Sequence, residues 1–191
     1  MEHLKRLVAL VMVLIMMVVL FSPVTAYASQ RQGKTSKQNS LSVEKVLKNT
    51  KVTMRIDRPC GLSQDEFVKV LKKCKYDYKG FLRKHAKYIW KMEQKYRING
   101  LFYCGIFAIE SGWGTAGWSH NYTGMIGRRF LSDRQGIKAT FKNLSKNYIK
   151  CGLKTIKLVG PKYCESGGWS YSVCSAMQRI LAFSCKKQKT K

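Results

Sequence analysis

The residues best suited to chemistry are Ala108-Ile109-Glu110-Ser111-Gly112-Trp113-Gly114. A single carboxylate closes an apolar run there, stands beside a Trp and opens into glycines. A carboxyl group desolvated against an aromatic ring holds its proton to higher pH than one in water, because burial disfavours the charged form. A proton kept available near neutrality is what a general acid needs to protonate a glycosidic oxygen. The glycines allow a bulky chain to approach the backbone, and Trp113 or Trp118 offers a flat face for a sugar ring. The plain alternative is an acid at a helix end, solvated by the loop that follows.

Positioning such a group requires a rigid support, and the flanking sequence supplies helices. Ser63-Gln64-Asp65-Glu66 has capping-box spacing and leads into the stripe Phe67, Val70, Leu71 and Cys74. A second stripe runs through Leu82, Ala86, Ile89, Met92 (or Glu93) and Tyr96, with Lys and Arg on the other face, and stops at a turn expected at Asn99-Gly100. Leu101 to Ile109 has no polar face and reads as a buried central helix ending in a Gly-rich loop over 112–127. Ile137, Phe141, Leu144, Tyr148 and Ile149, then Val173, Met177, Ile180 and Leu181, repeat at helical intervals. No alternating, strand-like run is sustained. The expected fold class is mainly α, with at most a short hairpin near 122–131.

The chain has 191 residues, with 36 Lys and Arg against 10 acids and a formal net charge of +26. That balance predicts salt-sensitive association with polyanions. Lys5 and Arg6, the apolar run from Leu7 to Phe21, and Ala26-Tyr27-Ala28 follow the order of a secretory signal peptide cleaved after Ala28, the alternative being an uncleaved anchor. Export argues against an intracellular nucleic-acid binder. Residues 29–56 read as a basic polar leader, partly disordered at 29–40 and with a short helix possible in 41–58; 57–185 form the domain and 186–191 a basic tail. The cysteine count of seven is odd, so at least one lacks an intrachain partner. There is no C-x-x-C pair and only three His, so neither a metal site nor a cofactor is expected.

Three segments together carry a resemblance: Tyr96-Arg97-Ile98-Asn99-Gly100-Leu101-Phe102, then Ala108 to Ala116, then Asn121-Tyr122-Thr123-Gly124. They resemble the glucosaminidase-type peptidoglycan hydrolases (mannosyl-glycoprotein endo-β-N-acetylglucosaminidase-like, glycoside hydrolase family 73). Asp57 to Ser63, Tyr163-Cys164 and Trp169 to Val173 are similar to flanking pieces of that family, so the likeness covers about 57–185. It implies a lysozyme-like helical domain that cleaves the β-1,4 bond between N-acetylglucosamine and N-acetylmuramic acid. By the same resemblance Glu110 is the catalytic acid, Asn121 shapes the cleft floor, and Tyr122, Tyr163 and Trp169 are aromatics near the cleft, Tyr163 foremost.

Gly100 and Ala116 depart mildly from the family pattern. The span from Gly124 to Asp133 departs more, because many relatives place a β-lobe with a second acid there. After Glu110 the remaining acids are Asp133, at a helix start and a possible second acid, and Glu165, in a polar loop. Glycosidases commonly use two carboxylates, although a substrate N-acetyl group can replace one. Three readings therefore stand: a hydrolase, a lytic transglycosylase using the same Glu110, and a non-catalytic cationic wall binder. The expected partners are peptidoglycan and anionic wall polymers, with no specific nucleic acid, and the membrane only through an uncleaved signal segment. The chain is expected to be a secreted, wall-associated monomer.

Overall fold

The computed structural model describes residues 42–185. The expected signal peptide, the expected leader up to residue 41 and the basic tail lie outside the described residues. Seven α-helices account for most of the described chain: α1 (42–49), α2 (Gln64–Lys73), α3 (Phe81–Tyr96), α4 (Gly100–Glu110), α5 (Asp133–Asn147), α6 (Ile156–Tyr163) and α7 (Trp169–Cys185). A 3-10 turn, Ile149–Cys151, follows α5. Among the described residues there is no strand, only the isolated bridges Arg55–Thr155 and Trp118–Asn121. The span near 122–131, where a hairpin was allowed for, is an irregular loop. No helix among the described residues is long and apolar enough to cross a membrane.

Helix α4 is the axis of the molecule. Every residue from Gly100 to Ala108 is buried, as its unbroken apolar sequence requires. Its main packing partner is α7, at a point where Gly105 admits close approach. A Cβ there would meet Val173 O and Met177 Cγ, each at 2.9 Å. Leu101, Phe102, Ile106 and Phe107 join Phe67, Leu82, Ile89, Phe141, Met177 and Ile180 in one continuous core. Burying each such side chain contributes roughly 1.5–3 kcal/mol before chain entropy is counted.

The helix ends follow their capping residues. The box forms at α2: Ser63 Oγ accepts from Glu66 N–H, and Glu66 Oε2 accepts from Ser63 N–H at 2.8 Å. Asn99-Gly100 is not the end of α3. That helix stops at Arg97, whose φ of 54° is left-handed, and Asn99 caps the next helix by accepting from Phe102 N–H at 3.0 Å. Asn is both a turn residue and an N-cap residue, and here the cap prevails. The fully buried Glu93 completes the junction, accepting from the N–H groups of Gly100 and of Cys60. Burial raises the Glu93 carboxyl above its usual range, and those two donors pull against the rise. Helix α6 lacked a clear apolar period, but its cap, Thr155, accepts from Leu158 N–H. All seven cysteines are free thiols, and Cys104 is a buried hydrophobe within α4.

Candidate functional site

Glu110 is the last residue of α4 and is half-buried. The turn that follows is tightly held. Ser111 Oγ donates to Phe107 O at 2.6 Å and accepts from Gly114 N–H at 2.9 Å. Three successive residues, Gly112, Trp113 and Gly114, take left-handed φ values of 52°, 60° and 86°. For Trp113 that conformation costs energy and persists only where its surroundings fix it. The chain thereby reverses at once, leaving Glu110 at the edge of the core.

Two segments distant in sequence close on the carboxylate. Trp169, the first residue of α7, donates its indole N–H to Glu110 Oε1 at 2.7 Å. Tyr163, the last residue of α6, stacks on Trp169 with ring centroids 4.6 Å apart and planes 22° from parallel. The Tyr163 hydroxyl donates to Thr123 O at 2.6 Å, fixing the backbone next to Gly124. Gly124 has a φ of 67°, and a Cβ on it would lie 2.7 Å from Glu110 Oε2. One carboxylate oxygen thus faces a fixed donor, and the other faces bare backbone. Burial pushes the Tyr163 hydroxyl pKa far up, and Glu110 nearby adds to the shift, so this phenol acts as a neutral donor.

The other residues singled out in the sequence lie at various removes. Asn121 folds its own loop: its amide donates to Met125 O and Arg128 O, and its Oδ1 accepts from Met125 N–H. Tyr122 packs on Phe81 and Phe107 at centroid distances of 4.5 and 5.7 Å. Trp113 packs on Tyr76 at 5.0 Å, toward α7. Trp118 is exposed and carries the Arg129 guanidinium 4.3 Å from its ring centroid. Glu165 is exposed in the short loop between Tyr163 and Trp169.

Asp133, first residue of α5, is held by two histidines. His85 Nε2 lies 2.9 Å from its Oδ2, and His120 Nδ1 lies 2.6 Å from its Oδ1. Burial opposes its charge, but the bonds to His120 and His85 outweigh that and hold the carboxyl below its usual range. The bracket ties α3, α5 and the loop carrying Asn121 to Gly124. Sequence reasoning missed both histidines, as well as the buried pair Thr123–Thr140, whose hydroxyls meet at 2.7 Å. The local signal was limited to a His on the buried side of α3.

Searches by sequence found no matching family model and no matching curated protein. Comparison of folds did find similar structures. Autolysin E of S. aureus superposes with a TM-score of 0.55 at 16% identity, over 72% of this chain and 75% of that one. A second structure of autolysin E, in complex with the muropeptide NAM-L-Ala-D-iGlu, gives 0.54 at 15% identity, over 72% and 76%. The chain has an autolysin-like fold. At this identity the likeness is one of backbone architecture, and it agrees with the helical class read from the sequence. In this autolysin-like fold the elements gathered around Glu110 are the C-terminus of α4, the loop at Thr123-Gly124 and the junction between α6 and α7.

Proposed function

We propose that the chain is an exported peptidoglycan hydrolase of the glucosaminidase type, with Glu110 as its general acid. The observation that carries this reading is the Glu110 carboxylate held between the Trp169 indole and Gly124. Oε1 accepts a hydrogen bond from Trp169, so the transferable proton belongs on Oε2, beside a residue with no side chain to obstruct a sugar. Tyr163 positions both sides of the group, through its stack on Trp169 and its bond to Thr123. The autolysin-like fold supports the same substrate class, since the S. aureus relative was captured with a muropeptide. Asn121 serves as the loop's internal brace.

We read Asp133 as a structural acid, a reading supported by the engagement of both its oxygens by histidines. This favours a route with one protein carboxyl, in which the substrate N-acetyl group or the muramic acid hydroxyl is the nucleophile. In the second choice the primary hydroxyl of muramic acid closes on its own anomeric carbon and N-acetylglucosamine leaves, so the alternate bond of the glycan is cut and the protein is a lytic transglycosylase on the same Glu110. Digestion of purified peptidoglycan by the wild type and by Glu110→Gln, with mass analysis of the fragments, decides among the readings. New N-acetylglucosamine reducing ends, absent from the mutant digest, are the expected result. Anhydromuramic ends would establish transglycosylation instead. No fragments from a folded wild type, beside an active control enzyme, would overturn the enzymatic reading and leave a wall binder.

A further inference from the structure

Helices α3 and α5 pack side by side. Three contacts set their direction: His85 meets Asp133, Tyr88 meets Arg134, and Tyr96 stacks on Phe141. The numbers rise together on both helices, so the two run parallel. Lys84, Lys91 and Lys95 share one stripe of α3 with Tyr88, being four, three and seven residues from it, and Tyr88 is the residue that reaches α5. The stripe therefore flanks the seam. On α5, Arg134, Lys138 and Lys142 follow at four-residue spacing from the residue that Tyr88 meets. All six cations are exposed, and those on α3 span about 16 Å at 1.5 Å per residue.

Such a ridge departs from an ordinary solvated face. Exposed surfaces usually intersperse both signs of charge, and like charges four residues apart on a helix destabilise it. The acids of these two helices do not relieve the repulsion along the ridge. Glu93 is fully buried, and Asp133 sits at one end, bonded to His85 and His120, with Lys84 3.8 Å away. Among the described residues no ion pair involves Lys91, Lys95, Arg134, Lys138 or Lys142.

The geometry points to the α3–α5 ridge as a docking surface for a linear polyol-phosphate polymer of the cell wall. A row of cations on parallel helices matches a chain with one negative charge per repeat. An anionic membrane fits less well, because no exposed large hydrophobic side chain lies on α3 or α5. Single-stranded nucleic acid also fits less well, because the ridge lacks free aromatic faces for bases, Tyr88 being covered by Arg134. The choice of a wall polymer rests on the peptidoglycan reading of the Glu110 site. Asp133, at the start of the ridge, also holds His120, which opens the loop that carries Gly124.

The test uses the exported chain and fluorescently labelled poly(glycerol phosphate), with binding followed by anisotropy over a salt series. The triple variant Lys91→Gln, Lys138→Gln, Lys142→Gln is compared with Lys72→Gln, Lys150→Gln, Lys157→Gln, which removes equal charge from exposed positions elsewhere. The ridge variant should flatten the slope of log affinity against log salt by about two, at roughly 0.7 for each phosphate no longer neutralised, and the control by less than half of that. Equal flattening in both, no saturable binding, or tighter ridge-dependent binding to anionic vesicles or single-stranded DNA would overturn the proposal. Peptidoglycan stripped of phosphate polymers separates this from the activity, since both triples should digest it at the wild-type rate. Ridge-specific binding by a protein that digests nothing would keep the ridge and discard the glycosidase. Digestion without ridge-specific binding would do the reverse.

Discussion

Among the described residues, the Glu110 carboxylate accepts one side-chain hydrogen bond, from Trp169, and a Cβ on Gly124 would lie 2.7 Å from its Oε2. Trp169→Phe removes the donor and keeps an aromatic ring for Tyr163 to stack on. A hydrogen bond to a charged group contributes about 1.5–3 kcal/mol, and each 1.36 kcal/mol is tenfold in rate. Glycan cleavage by Trp169→Phe should therefore fall by about ten- to a hundredfold with the helical circular dichroism unchanged. An unchanged rate would show that the indole does not organise the acid. Gly124→Ala should be worse for activity than for folding, because its Cβ meets Glu110 Oε2 and its φ is left-handed. The expected sign is a near-total loss of cleavage with a Tm drop of only a few degrees. A variant that unfolds outright would instead make Gly124 a stability residue.

At the scale of elements, the site is a junction of three ends: the C-terminus of α4, the C-terminus of α6 and the N-terminus of α7. Such a junction is only as precise as the packing of its helices and the loop that completes it. The Asp133 bracket joins that loop to α3 and α5. Its carboxyl is held below the usual range, so its stabilising contribution is present above the unfolded-state value and is lost as pH falls through the folded-state value. Asp133→Asn should be less stable than the wild type at pH 7 by about 2 kcal/mol, the scale of one charged hydrogen bond. The gap should close as pH falls below about 4, the ordinary Asp value. Denaturant melts of both proteins at each pH measure it. A gap independent of pH would mean that the bracket works through shape rather than charge. The same variant should retain measurable cleavage if Asp133 is structural, and loss as complete as in Glu110→Gln would make it a second acid.

At the scale of the whole molecule, the excess of 36 bases over 10 acids acts as a field. Screening reaches within about 10 Å at 0.1 M salt, so attraction to intact walls should weaken steeply as salt rises. Pull-down on purified walls across a salt series should show release at high salt. Retention that ignores salt would place the affinity in apolar or sugar-specific contacts instead. The core makes a separate contribution: one apolar cluster, centred on α4, stabilises the fold without drawing on the surface charge. A protein can then carry a strongly cationic surface, because its core stability rests on other residues.

Periodicity and caps alone determined the helical class, the capping box at Ser63 and Glu66, the burial of α4 and the placing of Glu110 at its end. Those signals are local: a stripe repeats within a helix, and a cap bonds to a neighbour three residues away. The sequence also marked Trp169, Tyr163 and Asn121, but it did not show how they act, because their partners lie 59, 40 and four to seven residues away. Asn99 shows the limit within local reasoning, since one residue type serves turns and caps alike, and Glu93, buried six residues earlier, accompanies the outcome. The His85–Asp133–His120 bracket, the approach of Gly124 to Glu110 and the alignment of cations on α3 and α5 were decided by tertiary structure. Each depends on side chains brought together by the packing of a shared core, and no spacing along the chain encodes the distance between two helices.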